Sequence, residues 1–134
     1  MKLPFNRVRE ITYALAGKNL SCKFRHFSFI IKDGIIVSIG INNNFKTHPL
    51  TKKYGYWEGV ESLHSEMSSV IKYGIENCTD LIMINTRVNQ ESLKVLRNSK
   101  PCKGCKELIG SLNFKELWYS TDNDSFERLV VPPP

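Results

Sequence analysis

Hydrophobic and polar positions along the chain follow two different periods, and the changes between them predict the order of helices and strands. Residues 6–16 place apolar side chains on one helical face, and Gly17 follows as a stop. Residues 24–32 and 35–41 are rich in β-branched and aromatic residues, with an Asp-Gly pair between them. An Asp-Gly pair between two such runs is a strong hairpin signal. The chain therefore begins with a predicted amphipathic helix and a β-hairpin.

The remainder alternates between helical and strand patterns. The predicted order is a loop over 42–59, a helix over 64–73, a buried strand of the parallel type within 79–88, a polar connector over 90–100 with room for one helical turn, a helix from Cys102, and strands over 114–121 and 125–131. Residues 122–124 form a predicted turn, so the last strand returns as a hairpin. This order predicts an α/β fold, with helices packed on a mixed sheet.

Length and composition indicate one globular domain spanning residues 1–134. The chain is 41% hydrophobic and 24% charged, which is ordinary for such a domain. No apolar run approaches the roughly 18 residues of a membrane span, and the N-terminus lacks the apolar core of a signal peptide. We therefore expect a cytoplasmic protein that has no membrane partner.

The net charge of +6 is unevenly distributed. Basic residues dominate one stretch, where Glu91 is the sole acid: Arg87, Lys94, Arg97, Lys100, Lys103 and Lys106. After residue 106 the chain becomes acidic. A basic stretch of this kind raises the local concentration of anionic substrates, although a solvated surface with surplus lysine would look the same.

The four cysteines indicate metal chemistry more than disulfides, because disulfides are rare in a reducing compartment. Cys102 and Cys105 form a C-x-x-C pair that comes late in the chain, after an H-x-E motif, which favours zinc over a redox pair. Cys22 and Cys78 are expected to be small buried hydrophobes. Either of them could instead close a structural metal site as a fourth ligand.

The residues with the clearest chemistry are His64-Ser65-Glu66 and the later segment Pro-Cys-Lys-Gly-Cys over 101–105. One imidazole and two thiolates can hold zinc and leave its fourth tetrahedral position for water. A carboxylate two residues after the histidine can then move the protons of that water. Taken separately, H-x-E fits an ordinary helix N-terminus, and C-x-x-C fits a zinc knuckle or a redox pair. Together, in this order, they are the signature of zinc-dependent base deaminases.

The chain resembles the cytidine deaminase superfamily, in particular its CMP/dCMP-type members, from the first helix to Tyr119. Besides the zinc motifs, the run over 29–42 is similar to the family's first hairpin, which ends in Gly-x-Asn. The resemblance implies a three-layer fold with a mixed sheet of about five strands, one zinc ion per chain, Glu66 as the proton shuttle and Asn42 as a contact to the sugar or base. It also implies a homo-oligomer. The implied zinc ligands are His64, Cys102 and Cys105.

Three departures from the family pattern leave the substrate open. Most members have alanine in place of Ser65, and free-cytidine deaminases usually have cysteine in place of His64. With its histidine at this position, the chain resembles the deoxycytidylate and nucleic-acid branches. These branches commonly add a helix after the fourth strand, whereas this chain returns directly into 125–131. The leading substrate is a small cytosine nucleoside or nucleotide. The alternatives are cytosine or adenosine within single-stranded DNA or RNA, including tRNA, and a non-catalytic zinc module.

Further side chains near these motifs are candidates for contact with the substrate. Lys100 or Arg97 could meet a phosphate. Aromatic residues at 54, 56 and 57 could stack on a base or pack the loop, and His26 is expected to be structural. The predicted substrate contacts are Asn42, Ser65, Pro101, His48, Ser99 and Lys100.

Overall fold

The computed structural model describes residues 2–18, 24–42 and 64–130. The elements follow the predicted order. They are α1 (Phe5–Ala16), β1 (Phe24–Lys32), β2 (Ile35–Ile41), α2 (Ser65–Tyr73), a 3-10 turn (Ile75–Asn77), β3 (Ile82–Asn89), α3 (Lys103–Ser111), β4 (Glu116–Ser120) and β5 (Phe126–Leu129). No helix in this described part of the chain has the length and apolar character needed to cross a membrane.

The described strands form a five-stranded mixed sheet in the order β2-β1-β3-β4-β5. The β1 strand is antiparallel to both β2 and β3, whereas β3 and β4 run parallel. The β5 strand returns antiparallel to β4. The predicted mixed sheet and the hairpin return are therefore confirmed.

Two apolar cores lie on opposite faces of this sheet and make three layers. Alternation within the strands divides the side chains: Phe27 and Phe29 pack towards α1, whereas Ile30 and Met83 pack towards α2 and α3. The β3 strand is buried over most of its length, as its continuous apolar run predicted. The sheet thus leaves α2 and α3 together on one face, where both predicted ligand motifs begin.

The connector between β3 and α3 differs from the prediction. No helical turn forms there, and the chain makes turns and an isolated bridge between Asn89 and Ser92. Two of its backbone N–H groups donate to carboxylates of the β4–β5 turn, from Leu96 to Asp124 at 2.9 Å and from Asn98 to Asp122 at 3.0 Å. These tertiary hydrogen bonds take the place of a local helical turn.

The α2 helix lies unusually close to β2 at Gly40. A Cβ atom at this glycine would lie 2.2 Å from the carbonyl oxygen of Ser65 and 2.3 Å from the amide nitrogen of Ser69. The neighbouring Ser38 hydroxyl donates to the carbonyl oxygen of Ser69 at 2.9 Å. The absence of a side chain at residue 40 therefore allows the helix that carries the H-x-E motif to pack closely against β2.

Candidate metal and catalytic site

The three predicted metal ligands lie at the N-terminal ends of two helices. His64 is the N-cap of α2 and Cys102 is the N-cap of α3, each with extended backbone angles, and Cys105 lies in the first turn of α3. Carbonyl oxygens of the two N-cap residues accept the first helical hydrogen bonds, from Ser68 and Lys106. Unpaired N–H groups and the positive end of the helix dipole favour anionic ligands at such positions.

The ligand atoms of His64, Cys102 and Cys105 all lie within 4.8 Å of one another. His64 Nδ1 is 3.6 Å from Cys102 Sγ and 3.5 Å from Cys105 Sγ. Ordinary Zn–S and Zn–N bond lengths in a tetrahedron give an N···S edge of about 3.6 Å. The two N···S distances therefore already match edges of a tetrahedral zinc site, and the two sulfur atoms lie within 4.8 Å of each other.

Electrostatics within this group favour the ligand form of the sulfur. A hydrogen bond from Cys105 is the largest cause that lowers the pKa of Cys102, and with the bond to His64 it brings that pKa to about 4 despite burial. The hydrogen bond to Cys102 in turn raises the pKa of His64 against the effect of burial. A thiolate at Cys102 is thus stabilised by its two neighbours.

Cys78 does not lie where it could act as a fourth metal ligand. Its thiol is buried, donates to the carbonyl oxygen of Gly74 at 3.4 Å and lies outside the ligand group. Burial, followed by the charge of Glu76, raises the pKa of Cys78 to about 11. Cys78 is therefore a buried, protonated thiol, as predicted, while Cys22 lies outside the described residues.

Glu66 lies in the first turn of α2, and its carboxyl group is held in a closed ring of buried polar side chains. Oε1 accepts from the Ser65 hydroxyl at 3.1 Å, and Oε2 accepts from Asn85 Nδ2 at 3.2 Å. Ser28 closes the ring, since its hydroxyl donates to Asn85 Oδ1 at 2.7 Å and lies 2.8 Å from the Ser65 hydroxyl. Each of these four residues is at most 7% exposed.

Burial of this ring changes the acidity of Glu66. Desolvation, the largest cause, raises the pKa of its carboxyl group, while a backbone hydrogen bond, the charge of His64 and the hydrogen bond from Ser65 act in the opposite direction. A carboxyl group with a raised pKa is suited both to accept and to return a proton near neutral pH.

Solved structures share this architecture. The chain is similar to dCMP deaminase from the cyanophage S-TIM5 in complex with dCMP and dUMP, at 16% sequence identity and a TM-score of 0.57, with 90% of this chain and 84% of that chain covered. The apo form of that enzyme matches at 19% identity and a TM-score of 0.51, with 90% and 86% covered. The chain has the cytidine-deaminase-like fold. No family model and no curated protein sequence matches it.

Within this deaminase-like fold, Asn42 and Ser99 make structural contacts. Asn42 Oδ1 accepts from the backbone N–H of His26 at 3.0 Å, which ties the end of β2 to β1. Ser99 is 4% exposed, and its hydroxyl donates to the carbonyl oxygen of Asn85 at 2.9 Å. A substrate contact by either residue stays a prediction.

The other predicted contacts differ in their exposure. Ser65 is buried in the ring with Glu66, Pro101 is buried beside Cys102, and Lys100 is exposed. His48 and the aromatic residues at 54, 56 and 57 lie outside the described residues. The exposed ammonium group of Lys100 directly precedes the ligand-bearing helix, which is compatible with the predicted contact to an anion.

Sequence reasoning missed Ser28 and Asn85, and it assigned His26 only a structural role. Burial is the largest cause that lowers the pKa of His26 to about 4, and the charges of Arg87, His64 and Cys102 also act on it. The imidazole therefore lies within electrostatic reach of the ligand group. The available signal was two polar residues spaced by two positions in a strand, since His26 and Ser28 share one face of β1.

Proposed function

We propose that this protein is a zinc-dependent hydrolytic deaminase that converts cytosine to uracil in a small nucleoside or nucleotide, of the cytidine/deoxycytidine and CMP/dCMP class. The observation that carries the proposal is the buried Glu66 carboxyl group next to an imidazole and two thiols that have zinc spacing. The likeness to a dCMP deaminase solved with dCMP and dUMP supports a nucleotide as the substrate.

His64, Cys102 and Cys105 would hold one zinc ion per chain, and no fourth protein ligand is found among the described residues. Zinc bound there would act as a Lewis acid that lowers the pKa of a water molecule to about 7. Because Glu66 does not belong to this group of ligands, its carboxyl group is free of the metal and can accept and return protons. Two thiolates and a neutral imidazole also balance the charge of the ion.

The proton movements follow from the position of Glu66. Its carboxylate takes a proton from the attacking water and delivers it to ring N3 of cytosine. The oxygen of that water forms a bond to C4, and the exocyclic C4–N bond breaks. Glu66 also transfers the second proton of the water to the departing amino group, which leaves as ammonia. The net reaction is hydrolysis, and the carboxyl group returns to its starting state.

The basic stretch supports an anionic substrate. It leads into α3, where Lys103 is exposed next to the ligand Cys102, and Lys100 is exposed just before it. The same charge distribution favours the second candidate, deamination of cytosine or adenosine within single-stranded DNA or RNA, because a positive surface binds the phosphate backbone. A zinc module without catalysis is the third candidate.

A substrate panel separates these candidates. Zinc-loaded protein is incubated with cytidine, deoxycytidine, CMP, dCMP, a cytosine-containing single-stranded oligonucleotide and an adenosine-containing RNA oligonucleotide, and the uracil, inosine and ammonia formed are measured. We expect turnover of the free nucleoside or nucleotide, and loss of turnover in Glu66→Gln with the zinc content unchanged. Turnover of an oligonucleotide alone would establish the second candidate, and no turnover with any substrate would leave the third.

A further inference from the structure

We infer that Ser28 and Asn85 are positioning residues that hold the Glu66 carboxyl group for proton transfer. This inference rests on the proposed deaminase function. Neither residue belongs to the zinc motifs, and neither lies on the helix that carries Glu66. Asn85 contacts the carboxyl group directly from the sheet underneath that helix, and Ser28 acts on it through Asn85 and Ser65.

The pairing of two strands places them. Ser28 in β1 is directly opposite Asn85 in β3, and the two side chains share the face of the sheet that α2 covers. Their neighbours Phe27, Phe29 and Ile84 pack on the other face, towards α1. Strand alternation therefore directs one hydroxyl and one amide from adjacent strands towards the same carboxyl group.

Their chemistry is poorly suited to a purely structural role. Ser28 is fully buried and Asn85 is 2% exposed. Buried polar groups cost free energy unless they are hydrogen-bonded, and a well-packed apolar pair at such a site is often as stable. Here both side chains use their hydrogen bonds on each other and on the Glu66 ring. Positioning of Glu66 accounts for a polar pair in the buried middle of the two strands.

The two residues act in series. The Ser28 hydroxyl donates to Asn85 Oδ1, which leaves the amide oriented with its Nδ2–H towards Glu66 Oε2. Ser28 also contacts the Ser65 hydroxyl, which serves Oε1. One carboxyl oxygen is thus held directly from the sheet and the other through Ser65, and a glutamate side chain with three rotatable bonds is kept in one orientation.

Kinetic analysis of three variants tests the inference. Asn85→Leu removes the direct contact to Glu66 Oε2, and Ser28→Ala removes the hydroxyl that orients Asn85 and contacts Ser65. Thr86→Val is the matched control, because Thr86 is the next residue of β3 and makes a buried hydroxyl contact of 2.7 Å with Thr12 on the opposite face. We expect kcat of the first two variants to fall about 10- to 100-fold with KM and zinc content unchanged. We expect Thr86→Val to lower the thermal midpoint alone.

The results separate positioning from stability and from the proposed function. If kcat of Asn85→Leu and of Ser28→Ala stays within about twofold of wild type, the inference is wrong while the deaminase function stands. If Asn85→Leu does not fold, the smaller change Ser28→Ala decides. If the wild type turns over no substrate, crystal structures of wild type and Ser28→Ala decide, because the inference requires the Glu66 side chain to leave its orientation in the variant. A Glu66 side chain in the same single orientation would overturn it.

Discussion

At the scale of single residues, two thiols and an imidazole at adjacent helix ends form a group that could hold a metal ion. The distances from His64 to Cys102 and Cys105 match those of a tetrahedral zinc site, whereas the buried Cys78 lies outside this group. These positions were predictable from the sequence, because each ligand lies next to a local helix start. The sheet residues of the Glu66 ring, Ser28 and Asn85, were not predictable, because they depend on the alignment of β1 with β3, which are distant in the chain.

The two kinds of cysteine should respond differently to substitution. Cys102→Ala should bind no zinc, because two ligands do not hold the ion against solvent, while Cys78→Ala should keep one zinc per chain. Atomic emission spectrometry of the purified proteins measures both. Equal zinc contents in the two variants would show that Cys102 is not a ligand.

His26 should make the folded protein sensitive to acid. Its pKa is about 4 in the folded state and 6.5 as a free side chain, mainly because burial disfavours the cation, with the charges of Arg87 and His64 adding to this and that of Cys102 opposing it. Between these two values the unfolded state binds more protons. The stability contributed by neutral His26 is therefore fully present above pH 6.5 and is lost as the pH falls towards 4, by about 3 kcal/mol.

The comparison of wild type with His26→Gln isolates this effect. Urea unfolding at pH 7, 5.5 and 4.5 should give a free-energy difference between the two proteins that shrinks or reverses as the pH falls. A difference that stays constant over this range would mean that His26 titrates normally in the folded state. His64 and Cys102 are present in both proteins, so their own titration largely cancels.

At the scale of elements, local sequence signals made some features predictable, whereas others depend on tertiary contacts. The hairpin was predictable because Asp33 and Gly34 both take positive φ, at 52° and 78°, as a tight two-residue turn requires. The connector before α3 was not, because its amide groups pair with Asp122 and Asp124 of a distant turn. The close approach of β2 and α2 was also invisible in the sequence, since a glycine in a strand has several explanations.

Gly40→Ala tests that close approach. The new Cβ would meet backbone atoms of Ser65 and Ser69, which cannot rotate away, so α2 must shift. We expect a loss of about 2 kcal/mol or more in the free energy of unfolding, together with reduced deaminase activity. Gly17→Ala is the control, because Gly17 has φ −66° and the nearest neighbour of a Cβ atom there would be the Ala14 carbonyl oxygen at 3.9 Å. Equal urea midpoints for the two variants would contradict this role of Gly40.

At the scale of the whole molecule, the ligand group connects two parts of the chain that are distant in sequence. The α2 and α3 helices lie on the same face of the sheet, and zinc at their N-termini would join them directly. The sheet, the two cores and this common face follow from alternation and element order, which is why the fold class could be predicted. The homo-oligomer, the single domain over 1–134 and the cytoplasmic location stay predictions.

Removal of the metal should therefore destabilise the whole fold. Zinc at one hundred times its dissociation constant contributes about 2.7 kcal/mol, which corresponds to a decrease of roughly 10 °C in the thermal midpoint upon chelation. Differential scanning calorimetry with and without a chelator measures the decrease. Cys102→Ala should show no such change, and an unchanged wild-type midpoint would indicate that zinc does not bind the folded state.

Zinc K-edge X-ray absorption of the loaded protein examines the metal site itself. Ligation by His64, Cys102 and Cys105 with one water requires two sulfur atoms at about 2.3 Å and two nitrogen or oxygen atoms at about 2.0–2.1 Å from the ion. That shell is the expected result. Three or four sulfur atoms would mean a closed structural site, and a spectrum without sulfur neighbours would place the zinc elsewhere; either would contradict a hydrolytic zinc centre at these residues.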